Sequence, residues 1–193
     1  MTIYKRIGII AGILIVTGVS LMAPFALSHT EQARALQMAT PAIQPAAPVI
    51  KSIAKGKPRH ITVASVGISL PVQDGSYNAS TGEWTLNDDS AFFGTTTTPA
   101  NSETGNTFVY GHNSRNVLGL LPQMKPGDTA VITTDTGYEF TYKFETSEKV
   151  KPTDTIVLAY DGDTPRLTLQ TCTGIWGEMR HMFYFTLVSY KKL

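Results

Sequence analysis

The sequence predicts an all-β domain, an antiparallel barrel or sandwich, carried behind one apolar N-terminal segment. Three observations lead to that expectation. Short strand-like runs recur along the chain: HITVASVGI, ISLPV, TFVYGH, TAVITT, YEFTYKFET, IVLAY, RLTLQT and MFYFTLVSY. Turn residues separate them, as PGD at Pro126 to Asp128, DTG at Asp135 to Gly137, and DGDTP after Tyr160. Helical periodicity is confined to a turn or two near Asn116 to Met124, which leaves no helical layer to cover a sheet.

The first element in order is the stretch Ile7 to Ser28, which has no charged residue and follows Lys5 and Arg6. At about 1.5 Å of rise per residue it is long enough to cross a hydrocarbon core of about 30 Å once. The two basic residues favour an N-terminus on the cytoplasmic side. A cleaved signal peptide competes with this reading, since Ala26 and Ser28 supply small residues, but its apolar region runs to only about 7 to 15 residues. An uncleaved anchor over residues 1–29 is therefore expected, with everything after it outside the membrane.

Residues 30–58 pass through EQARALQMA into TPAIQPAAP, where prolines remove backbone donors and hold the chain extended. This segment reads as a stalk, and the alternative is an arm packed on the domain. Residues 59–193 then suit one compact domain in length. A formal net charge of +1, without a basic patch interleaved with aromatics, excludes nucleic acid as a partner.

Cys172, the sole cysteine of 193 residues, ends the run TLQTC. It has no intramolecular disulfide partner, and an exposed thiol outside the membrane is open to oxidation, so it requires either burial or a use. In a strand Leu167, Leu169 and Thr171 share one face, whereas Thr168, Gln170 and Cys172 share the other. If the leucines fill the interior, the thiol faces a groove. Taken alone, such a cysteine is by default a buried structural thiol.

Two further groups complete a thiol acyl-transfer chemistry. His112 follows FVYG, and an imidazole protonates a departing amine and deprotonates an incoming one near neutral pH. Arg180 stays cationic, so it can donate to substrate carbonyls or an oxyanion without entering the proton transfer. Each also has an ordinary reading, as a strand-capping histidine and a salt-bridging arginine. His181 is the rival imidazole, but it adjoins Arg180 and in a strand points to the opposite face, with Phe183 and Phe185. His29 and His60 read as surface residues. Thr171 either orients the site or packs the barrel. Trp176, in the loop Thr173 to Met179, either covers a substrate or packs on the barrel.

TLQTC, the FVYGH segment upstream and the arginine downstream together resemble the sortase family, over roughly residues 59–193. The resemblance implies an eight-stranded antiparallel barrel and a membrane-anchored cysteine transpeptidase with Cys172 as nucleophile, His112 as acid and base, and Arg180 as oxyanion or substrate stabiliser. Thr171 and Trp176 are candidate substrate contacts. Implied partners are secreted proteins bearing an LPxTG-like sorting motif and an amine from a cell-wall precursor or a pilin. No metal or organic cofactor is implied: the calcium sites of some class A enzymes need several acidic groups, and the segment before TFVYGH offers only Glu103. An aspartate-proline-aromatic lid of the pilus-building class C is absent, which favours a wall-anchoring role. Exported transpeptidases with a glycine-cysteine pair fit less well, because only TLQTC surrounds the thiol. A vestigial β-domain that binds a partner and a thioester-hydrolysing peptidase stay open at this stage.

Overall fold

A computed structural model describes residues 53–193 apart from 79, 82 and 161. Among the described residues no helix is long and apolar enough to cross a membrane. The predicted span over 7–28 and nearly all of the predicted stalk lie outside them.

Eight strands close into a barrel: β1 Pro58–Val63, β2 Ile68–Gly75, β3 Ala91–Gly94, β4 Asn106–Tyr110, β5 Thr129–Thr134, β6 Tyr138–Val150, β7 Arg166–Thr173 and β8 Met179–Lys192. Their order around the barrel is β6-β8-β7-β4-β3-β2-β1-β5, with β5 pairing β6 to close it. Period-two burial explains the inward face. Ile68, Leu70 and Val72 of β2 are buried between exposed neighbours, and Phe140, Tyr142 and Phe144 of β6 point inward with Phe183 and Phe185 of β8. These side chains form one continuous interior with Leu167 and Leu169 of β7. Fully burying each such side chain contributes about 1.5–3 kcal/mol.

The barrel is antiparallel at six of its eight strand contacts; β2 with β3 and β4 with β7 are parallel. Parallel neighbours cannot be joined by a tight hairpin and need long connections. The connection 76–90 leads from β2 to β3 and carries a short ribbon, Tyr77–Asn78 paired with Glu83–Trp84. The connection 151–165 must cross β8 to bring β7 beside β4. Phe92, Phe108, Tyr110, Val150 and Met182 form a second buried cluster, with Trp84, Leu158 and Tyr184 packed against it. That cluster lies on the face of β4 and β8 opposite the barrel interior. All five residues of β4 are therefore buried, the pattern of a strand covered on both faces.

Two local features depart from the sequence reading. IVLAY is not a strand: Ile156–Leu158 forms a 3-10 turn with Ile156 79% exposed, because its connection crosses β8 and meets no free strand edge. HITVASVGI breaks at the 3-10 turn Ala64–Val66, which Gly67 ends at φ 70°. The expected turn near 116–124 is present, ending in the 3-10 segment Leu121–Gln123. At the N-terminal end Ala54 is buried and Lys55–Gly56 pairs with Ala100–Asn101, so the chain is tied to the barrel ahead of β1.

Candidate active site

The neighbouring strands β4, β7 and β8 bring His112, Cys172 and Arg180 to one end of the barrel. Cys172 lies directly across from Arg180 in the antiparallel register of β7 and β8. β4 runs parallel to β7 with Tyr110 opposite Gln170, and the pairing continues one step further. The Gly111 N–H donates to the Gln170 carbonyl at 3.1 Å, and the Thr171 hydroxyl donates to the Gly111 carbonyl at 3.1 Å. The next residue on each chain is His112 and Cys172. Thr171 is buried, so its hydroxyl ties the histidine-bearing segment to the cysteine strand.

Burial supports the strand parity read from the sequence. Leu167, Leu169 and Thr171 are buried in the interior, whereas Gln170 and Cys172 are half-buried on the other face. Cys172 is a free thiol. Thr168 shares that outer parity but is fully buried, its hydroxyl donating to Asn106 Oδ1 at 2.8 Å. The outward thiol therefore opens only at the strand's end.

Each polar group around the thiol has an identifiable support. Arg180 Nη1 donates to the carbonyls of Gly177 at 2.8 Å and Met179 at 3.3 Å. The His112 side chain is 40% exposed, its Nε2 standing 3.9 Å from an Asp88 carboxylate oxygen that is itself nearly fully exposed. Such a solvent-exposed pair contributes little energy. The segment carrying His112 is positioned by packing: Gly111 abuts Val117 and Leu118, and the Leu118 N–H donates to the His112 carbonyl at 3.1 Å. His181 lies outside this arrangement. Its ring packs on Phe183 at 4.1 Å, Nε2 meets the Ser147 hydroxyl at 3.1 Å, and burial followed by the nearby Lys149 charge pushes its pKa down.

A groove of about 440 Å³ leads away from this end over the outer face. Gln170, Arg180 and Met182 line it from the strands, Tyr77 and Trp84 from one connection, and Thr153 and Leu158 from the other. Its aromatic support is a ring cluster: Trp84 meets Tyr110 edge-on at 4.9 Å, and Tyr110 stacks on Phe108 at 5.5 Å and Phe92 at 5.8 Å. Pairs of this kind add about 0.5–1.5 kcal/mol each beyond their burial. The Tyr110 hydroxyl is buried, and burial pushes its pKa up to about 12 against a smaller lowering by the Thr85 side chain. The β7–β8 loop projects beside the thiol with Trp176 91% exposed, so this side chain does not pack on the barrel. Sequence reasoning passed over the Tyr77–Trp84 ribbon and Glu178. For the ribbon the available signal was two aromatics flanking a turn-rich SYNASTGEW segment.

The arrangement offers a thiol, an imidazole and a guanidinium at one end of the barrel, with the guanidinium of Arg180 lining a mainly apolar groove. That combination suits acyl transfer from an extended peptide. A family model described as Sortase domain matches residues 61–188. Solved structures similar to this chain include sortase A from Corynebacterium diphtheriae, at 20% identity and a TM-score of 0.58 over 70% of this chain and 62% of that one. Sortase A from Listeria monocytogenes is 25% identical with a TM-score of 0.54, over 69% of this chain and 88% of that one. Sortase C2 of pilus island 1 from group B Streptococcus is 17% identical with a TM-score of 0.57, over 67% and 73%. These structures span more than one class and leave the class of this chain undetermined. No curated protein matches the sequence.

Proposed function

The chain belongs to the sortase family of cysteine transpeptidases, and on that premise we propose that it cleaves an LPxTG-like sorting motif through a thioester on Cys172 and passes the acyl group to an amine of a cell-wall precursor or pilin. The observation that supports this most is the placement of Cys172 opposite Arg180 and one strand from His112, with Arg180 and Gln170 lining the adjoining groove.

In this reading the Cys172 thiolate attacks the scissile carbonyl, forming a C–S bond and a tetrahedral oxyanion. Arg180 donates hydrogen bonds to that oxyanion through guanidinium N–H groups other than those given to Gly177 and Met179. The intermediate collapses, the C–N bond breaks, and protonated His112 gives its proton to the leaving amine. The acceptor amine then attacks the thioester, His112 takes its proton, and the thiolate leaves. Proton and electron pairs balance over the two halves, and no cofactor enters.

We also propose that residues 7–28 anchor the enzyme in a membrane, N-terminus inside and catalytic domain outside. Lys5 and Arg6 before an uncharged stretch support that orientation. The activity is tested by incubating the full-length chain with LPxTG-like peptides and candidate amines and identifying products by mass. Ligated peptide that disappears with Cys172→Ala is the expected result. Cleavage giving only free acid in the presence of every amine would replace transfer with hydrolysis.

A further inference from the structure

The turn between β7 and β8 is braced by one carboxylate rather than by packing on the barrel. Ile175 and Trp176 are 88% and 91% exposed, so apolar burial does not hold the turn in place. Glu178 folds back across it, and its Oε2 accepts the Trp176 backbone N–H at 2.9 Å. Its own N–H and that of Ile175 also favour the ionised form, and its pKa lies below the usual carboxylate range. The carboxylate rests against Gly174, at φ 92°, where a Cβ would collide with it. Gly177, at φ 70°, closes the turn by donating to the Gly174 carbonyl at 3.3 Å.

This turn touches both partners of the chemistry. The Gly177 carbonyl accepts the shorter of the two bonds from Arg180 Nη1, at 2.8 Å. A Cβ on Gly177 would lie 3.8 Å from Cys172 Cβ, so the backbone here forms a wall beside the thiol. We propose that Glu178 is a positioning residue: by bracing the turn it fixes the Gly177 carbonyl, which aims the Arg180 guanidinium at the carbonyl attacked by Cys172. This rests on the transpeptidase reading and adds to it a residue that touches no substrate.

The test is a double-mutant cycle on the full-length chain with an LPxTG peptide, following Cys172 acylation in single turnover together with KM. Glu178→Ala lowers the acylation rate about 10- to 100-fold, the cost of a misaimed group, while KM changes much less because every groove-lining side chain other than Arg180 is left in place. Glu178→Gln keeps the reach and an acceptor oxygen and restores most of the rate. In an Arg180→Ala background, Glu178→Ala costs nothing further. Wild-type acylation by Glu178→Ala, or a loss that adds in full to that of Arg180→Ala, overturns the proposal. A second readout needs no turnover: the Arg180 Nε–H and Trp176 amide NMR resonances shift together in Glu178→Ala. If the Arg180 resonance stays in place, the link fails even in an active enzyme. If the wild-type chain forms no adduct with any sorting-motif peptide, it is the transpeptidase reading that fails, and the role of Glu178 in acylation falls with it.

Discussion

Replacing Gly111 by alanine tests whether packing, not charge, places the imidazole. A Cβ at this position would stand 2.8 Å from Val117 Cγ1 and 3.3 Å from two Leu118 side-chain atoms. Carbon atoms prefer about 3.5–4.0 Å, so the methyl needs roughly 0.7 Å or more of relief. Val117 and Leu118 are 1% and 0% exposed and have little freedom to yield. The strain therefore passes into the segment that carries His112 and that Thr171 clasps through the Gly111 carbonyl. Overpacking of this kind costs about 1–3 kcal/mol, or about 3–10 °C in Tm for a domain of this size. A displacement near 1 Å at His112 lowers acylation about 100-fold. Thermal unfolding followed by circular dichroism and the rate of peptide cleavage measure the two effects. If Gly111→Ala keeps both the melting temperature and the cleavage rate of the wild type, the turn at 117–118 does not set His112.

Arg180→Ala is expected to lower kcat by about 10²–10³, near 3–4 kcal/mol of transition-state stabilisation; Arg180→Lys recovers only part of it, because one ammonium cannot hold the Gly177 and Met179 carbonyls and an oxyanion together. Leu169→Ala, at a fully buried interior position, costs about 2–5 kcal/mol, read by urea unfolding. Tyr110 has its folded pKa raised from 10.0 to about 12, so its neutral form is the one the fold favours. Its contribution is complete below pH 10 and is lost as pH rises through 12, and absorbance at 295 nm should show its phenolate appearing only near that upper limit, ahead of or together with unfolding.

Legibility followed from how local each feature is. Alternation in SLPV and in LTLQTC was readable because one face of each strand is buried and period two assigns the faces, which is why Cys172 was correctly placed opposite the leucines in parity. The run FVYGH was readable as a strand, but not as one covered on both sides, because its outer cover includes Trp84 and Leu158, from connections distant in sequence. The parallel contacts were hidden for the same reason, since strand order is not a property of any single run. Ile156–Leu158 misled because β-branched residues favour strands only where a partner edge is available. The eight-residue spacing from Cys172 to Arg180 did carry geometric information, as it places the two across a short turn in register. Glu178 was invisible: a lone glutamate in a glycine-containing loop acquires meaning only when its carboxylate is seen to fold back on the backbone.

Whether Cys172 carries the acyl group is decided by intact-mass spectrometry of the full-length chain mixed with an LPxTG-like peptide in the absence of added amine. The expected result is an adduct equal to the acyl fragment, mapped to Cys172, discharged by a nucleophilic amine and absent in Cys172→Ala. Cleavage of the peptide at an undiminished rate by Cys172→Ala would contradict it.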